Sequence, residues 1–186
     1  MTGDFGTPAG AAELADRLAI QDILSCHSRG LDRLDEALLK ACYWPEAEVD
    51  YGSYKGPAQQ FAELVIPALQ GSYELTRHCI GNTLVELRGS RALVESSVDA
   101  GHLLPGAKEE MLFAGRYLDT LEKRGGRWKL LYRQVVMDWS RRQQVADERS
   151  SDAFAAMAKG AHGTLDPLHA FLGDTTDEEQ ANGRPN

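Results

Sequence analysis

Basic residues are in short supply in this chain. Its 20 Lys and Arg face 28 Asp and Glu, a formal net charge of -8 over 186 residues. That balance repels phosphate backbones and anionic lipid surfaces, so neither a nucleic acid nor a membrane surface is an expected partner. The cations are scattered apart from Lys123-Arg124 and Arg141-Arg142, which are too short to make a polybasic patch. Cysteine is scarce as well. Cys26, Cys42 and Cys79 form an odd set without C-x-x-C spacing, which excludes a disulfide framework and a zinc site. Cys26 and Cys79 read as small buried hydrophobes, and a reducing cytoplasm is the expected home. No apolar run reaches membrane-spanning length. The opening Met1 to Gly10 has neither a basic nor an apolar stretch, so no signal peptide is expected there.

What is present is ordinary for one globular domain, with 42% hydrophobic and 26% charged residues. Residues 1–10 read as a flexible, Gly/Pro-containing start, and no internal repeat follows. Leu14, Leu18, Ile20, Ile23 and Leu24 recur at helical spacing from Ala11 to His27, and Gly30 is expected to stop that helix. A second short helix opens at Asp35-Glu36 and ends before Trp44-Pro45, because the residue ahead of a proline avoids the helical region. A strand or hairpin over 47–54, a turn at Lys55-Gly56-Pro57 and a helix over 58–69 follow.

The pattern then changes period. Four strand-like runs, 76–87, 91–104, 110–123 and 127–139, are separated by Arg88-Gly89-Ser90, Pro105-Gly106 and Arg124-Gly125-Gly126, the composition of hairpin turns. A further helix is expected over 140–160, where it would close the pocket mouth or cover a sheet edge. An irregular to disordered, acidic tail is expected over 161–186, with His162 and His169 at the surface. The fold class is therefore α+β: a strongly curved, mostly antiparallel sheet wrapped around N-terminal helices, all within one domain over 11–160.

Strand parity separates the faces. In 91–104, Ala92, Val94, Ser96, Val98, Ala100, His102 and Leu104 share one side, the covered one. In 127–139, Arg133 falls with Leu131, Val135, Met137 and Trp139, although the opposite face is nearly as apolar. An arginine among aliphatic neighbours implies a partner or a ligand. His78 opens the strand 76–87, and Asp32 follows the first helix. If the fold joins them, they form a minimal general-base unit, an imidazole oriented by a carboxylate.

These residues resemble the nuclear-transport-factor-2-like (SnoaL-like) superfamily, and within it the group of lindane dehydrochlorinase, scytalone dehydratase and bile-acid 7α-dehydratase. The likeness is carried by Ala19-Ile20-Gln21-Asp22-Ile23-Leu24, Gly30-Leu31-Asp32, Tyr54-Lys55-Gly56-Pro57, His78 with Gly81-Asn82, and Gly126-Arg127-Trp128-Lys129, and spans roughly residues 11–140. It implies a cone-shaped α+β barrel, a homotrimer or homodimer, and no cofactor or metal. It places the catalytic histidine on His78, its aspartate on Asp32, the active-site arginine on Arg133 and a second histidine on His102. One departure is Leu31, where the scytalone enzyme has a tyrosine.

The implied reaction is a cofactor-independent elimination of water or HX from a small cyclic or hydrophobic substrate. Arg133, His102, Tyr54, Tyr51, Tyr117 and Trp139 are the candidates to bind it or steady its leaving group. An isomerase or polyketide cyclase would use the same proton abstraction, and a non-catalytic binding or assembly module would keep only the fold. Each residue also has a plainer use. Asp32 suits a helix cap near Leu34, His102 suits the core, and Arg133 suits a bridge to Asp119, Asp99 or Glu95.

Overall fold

A computed structural model describes residues 6–173. The remainder of the expected acidic tail, 174–186, and residues 1–5 of the expected flexible start lie outside the described residues. Three helices, α1 (Ala11–Asp32), α2 (Glu36–Ala41) and α3 (Ala58–Ser72), pack into the hollow of one curled, unclosed sheet. Its strands are β1 (Tyr43–Asp50), β2 (Lys55–Pro57), β3 (Leu75–Arg88), β4 (Arg91–Leu103), β5 (Glu109–Arg124) and β6 (Arg127–Gln144). The order is β2-β1-β6-β5-β4-β3, antiparallel except where β1 runs parallel to β6. This is the expected α+β cone. The hairpin turns at Gly89 and at Gly125-Gly126 use positive φ, which glycine adopts without strain.

Helix α1 buries Ile20, Leu24, His27, Ser28 and Leu31, a stripe of three- and four-residue steps that faces the core. Leu14 and Leu18, expected on that stripe, are more than half exposed. Gly30 does not stop the helix. A Cβ there would sit 3.0 Å from Leu39 Cβ, so the glycine lets α1 approach α2 closely. The helix ends two residues later, where the Asp35 amide donates to Gly30 O and the Leu34 amide to Leu31 O, a Schellman motif with Leu34 at φ 55°. Asp35, not Asp32, caps the next helix, accepting from the Leu38 amide.

Helix α1 runs along the free edge of β3. Its Arg17 donates to Val85 O at 2.8 Å, and its Asp32 accepts from the His78 amide at 2.8 Å. An open edge strand needs such cover, because its unpaired amides and carbonyls are otherwise stranded or sticky.

Three sequence expectations shift in this region. Trp44-Pro45 belongs to β1 rather than to a helix end, and Pro45 lies in the stretch between Tyr43 and Glu48 where the pairing with β6 breaks register, which tolerates a residue without an amide proton. Lys55-Gly56-Pro57 is a short strand. No helix occupies 140–160. Strand β6 continues to Gln144 against Glu109–Ala114 of β5, and turns fill 145–160, where Ser150-Ser151-Asp152 interrupts the helical pattern and Phe154 and Met157 stay exposed. The segment 161–173 is partly ordered, with a 3-10 turn Gly163–Leu165 and helical residues 167–173. Asp166 ties it to Arg33 at 2.8 Å.

Two bulges explain why parity failed on β6. Thr120 faces Tyr132 but Leu121 faces Leu130, so Leu131 is an extra residue, and Asp138 is another between Met137 and Trp139. Each insertion flips the inward set. Trp128 and Leu130 therefore share the interior with Arg133, while Trp139, beyond the second insertion, turns outward; Met137, opposite Gly115, is exposed as well. Gly115 makes the second bulge possible, since a Cβ there would lie 2.2 Å from Val136 O.

Candidate active site

A cavity of about 450 Å³ opens inside the cone between α3, the end of α1 and strands β3 to β6. Leu31, Phe61, Val65, Leu69, Phe113 and Val135 give it an apolar wall. Into that wall are set His78, His102, Tyr51 and Tyr117, the composition of a small-molecule site.

Asp32 stands behind His78. Its Oδ1 lies 2.7 Å from His78 Nδ1 and 2.9 Å from Thr76 Oγ1, and its Oδ2 takes the His78 amide. Burial is the largest single influence on Asp32 and pushes its pKa up. The His78 ring and charge, the His78 amide and the Thr76 hydroxyl together outweigh it and hold the carboxyl below its usual range. An ionised carboxylate only accepts, so His78 carries its proton on Nδ1 and keeps the Nε2 lone pair free.

His102 packs edge-on to His78, with ring centres 5.7 Å apart, and its Nδ1–H donates to Ala100 O at 3.0 Å. Burial, then the neighbouring His78, lowers its pKa. His102 thus has both features weighed from the sequence: a place in the cavity and a backbone carbonyl for a partner.

Arg133 does not line the cavity. It is fully buried, donating Nε–H and Nη2–H to Asp119 at 2.7 Å each, with its guanidinium carbon 3.9 Å from the Tyr117 ring centre. Asp119 is its direct cross-strand neighbour. Burial opposes charge on Arg133, but the Asp119 carboxylate more than offsets it and raises the guanidinium well above its ordinary value. Tyr54 is also absent from the lining and donates to Pro57 O at 3.0 Å. Trp139 is 51% exposed on the far side of the second β6 bulge. Cys42 is buried; of the two cysteines expected to be buried, Cys26 is half-buried and Cys79 is exposed on the outer face of β3.

Sequence reasoning passed over His27 and Tyr43, both buried beneath the cavity floor. Arg133 Nη1–H donates to His27 Nδ1 at 2.9 Å, and His27 Nε2–H donates to Tyr43 Oη at 2.8 Å. The signal for His27 was its place three residues after Leu24 and four before Leu31, on the covered stripe.

Residues 12–134 match the model of the SnoaL-like domain. Hexachlorocyclohexane dehydrochlorinase 1 of Sphingobium indicum is 32% identical over 122 residues, 63% of this chain and 78% of that protein. The gamma-hexachlorocyclohexane dehydrochlorinase of Sphingobium indicum is 28% identical over 131 residues, 68% of this chain and 83% of its own. Among solved structures, that of LinA superposes with a TM-score of 0.64 at 25% identity, covering 72% of this chain and 92% of LinA. A type 2 hexachlorocyclohexane dehydrochlorinase gives 0.61 at 28% identity, with 72% and 91% covered.

Proposed function

The chain belongs to the SnoaL-like family, and on that footing we propose that it is a cofactor-independent lyase, eliminating water or HX from a small cyclic or hydrophobic substrate. The observation that carries the reading is His78, held by Asp32 at 2.7 Å on the wall of an apolar cavity. Its similarity to dehydrochlorinases supports the reaction class. No helix among the described residues is long and apolar enough to cross a membrane. A cytoplasmic homo-oligomer, dimer or trimer, is part of the same proposal.

In the proposed step, His78 Nε2 removes a proton from a carbon next to the one bearing the leaving group. The C–H electrons become the new C=C bond, and hydroxide or halide departs with the C–X pair. Asp32 keeps the ring in the productive tautomer and stabilises the imidazolium that forms. The apolar wall excludes water, which strengthens each of these interactions. The imidazolium then returns its proton to the departing group, so the products are an alkene and water or HX.

The test is a substrate panel run with wild type, His78→Ala and Asp32→Asn. Chloride release from γ-hexachlorocyclohexane reports dehydrohalogenation, and ultraviolet absorbance of a new conjugated alkene from cyclic β-hydroxy ketones reports dehydration. Turnover that both variants lose by about a hundredfold or more supports the reading. Turnover indifferent to His78→Ala, or none across the panel, would remove it. Deuterium exchange into the substrate without loss of a group would replace it with the isomerase alternative.

A further inference from the structure

Asp32 is the last residue of α1, and His78 lies near the start of β3. Two partners on separate elements keep a 2.7 Å contact only while the joint between those elements holds. The segment that follows β6 grips this joint on both sides.

On the β3 side, Arg149 pairs with Glu74, the residue just ahead of the strand. Glu74 also accepts from the Gly106 amide at 3.1 Å. On the α1 side the grip falls on Arg33, the residue after Asp32. Its carbonyl accepts from the Gly163 amide at 2.9 Å, and its Nη1–H groups donate to Asp166 Oδ2 at 2.8 Å and Ala161 O at 3.3 Å. Main chain and side chain of one residue are held at once. The Asp166 carboxylate accepts as well from the amides of Ala161 at 2.9 Å and Leu168 at 3.0 Å, which closes the segment on itself around that anchor. Between the two fastenings, Gly160 borders a hollow of about 490 Å³ together with Arg33 and Thr76. Thr76 is the residue whose hydroxyl supports Asp32.

This segment adds nothing to the hydrophobic core. Among residues 145–173 Asp166 alone is buried, so no apolar side chain there is taken fully from water. It also lies outside the residues that match the SnoaL-like domain. Its ties to Glu74 and Arg33 are polar, and they fall next to the two ends of the Asp32–His78 contact. We infer that residues 147–166 form a clip across the joint of α1 and β3, in which Arg33 and Asp166 are positioning residues that hold Asp32 against His78. The inference rests on that pair being the base proposed above.

The readout is the ¹⁵N spectrum of the His78 ring in the full-length protein, which separates the Nδ1–H tautomer from the Nε2–H form without a substrate. In wild type the ring keeps its proton on Nδ1. Asp166→Ala, which removes the acceptor of three donors, raises the share of the opposite tautomer about tenfold or more. Arg149→Met, at the other fastening, moves the ring the same way. Arg33→Met does so too, whereas Arg33→Lys, which keeps a cation for Asp166, stays near wild type. A merely structural segment would lower the urea midpoint in these variants and leave the ring unchanged. A wild-type ring in Asp166→Ala or in Arg149→Met, or an Arg33→Lys ring indistinguishable from that of Arg33→Met, would overturn the inference. If Asp166→Ala does not fold, Arg149→Met decides, since its side chain is partly exposed. The spectrum needs no turnover, so its failure is distinct from the failure of the elimination reading, which His78→Ala tests.

Discussion

His78 presents two protons to Asp32, one from its backbone amide at 2.8 Å and one from its ring at 2.7 Å. One carboxylate therefore secures both the edge strand β3 and the orientation of the imidazole it carries. Structure and chemistry meet at the same two oxygens.

Asp32→Asn is expected to damage both. An amide offers one acceptor and one donor, so it cannot serve the amide, the ring and Thr76 together. The ring is driven toward the opposite tautomer, and activity falls by about a hundredfold to ten-thousandfold. Stability falls by about 1–3 kcal/mol, as for a buried group left unpaired. ¹⁵N chemical shifts of the His78 ring report the tautomer, and urea unfolding reports the stability. A ring still protonated on Nδ1 in the variant would contradict this account.

The Arg133–Asp119 pair is fully buried on both sides. Asp119→Ala leaves a guanidinium without its counter-charge and costs about 3–5 kcal/mol. The double variant Arg133→Met/Asp119→Leu is expected to recover much of that loss, since no isolated charge remains. Denaturant midpoints of wild type, Asp119→Ala and the double variant make the comparison.

Acid should begin to loosen the fold in the ordinary imidazole range. His27 and His102 both have lowered pKa values in the folded protein, each mainly through burial. The unfolded chain binds more protons than the folded one below the ordinary imidazole value of about 6.5. The stability these groups confer is complete above that value and is lost as pH falls toward their folded values. Midpoints in urea should drop between pH 7.5 and 5, and His27→Gln should flatten the slope. An unchanged slope would mean that His27 is not held neutral.

Gly115→Ala should be among the least tolerated small substitutions. The added carbon meets backbone at Val136 and the Phe113 ring at 2.8 Å, and neither can move far. A loss of about 1–3 kcal/mol or more follows from overpacking. Gly101→Ala, with nothing within 4 Å, should leave the melting temperature nearly unchanged. The two melting curves are the measurement.

Much of this was legible in the sequence. Turn chemistry at Gly89-Ser90 and Gly125-Gly126 placed the long hairpins, and strict alternation in β4 assigned its inner face, His102 included. The pairing of Asp32 with His78 across 46 residues came from resemblance, because periodicity carries no information about which helix end meets which strand. Arg133 was seen to need a partner, and Asp119 was among those named. What stayed hidden were single-residue insertions. Leu131 and Asp138 each reverse the parity of β6, and no propensity marks either one, so Trp139 was placed inside and Trp128 left undecided. Tyr54 shows a similar limit: its residue type suits a pocket, but its hydroxyl finds Pro57 O first. His27 was readable from its helical phase, and only its partners required three dimensions.

The His78 amide donates to Asp32 Oδ2 rather than into the ladder with β4. It can trade its proton with solvent only when that carboxylate lets go, and at that moment the imidazole has also lost its anchor. Its exchange rate is therefore an internal clock, counting how often the imidazole loses its support while the rest of the protein stays folded.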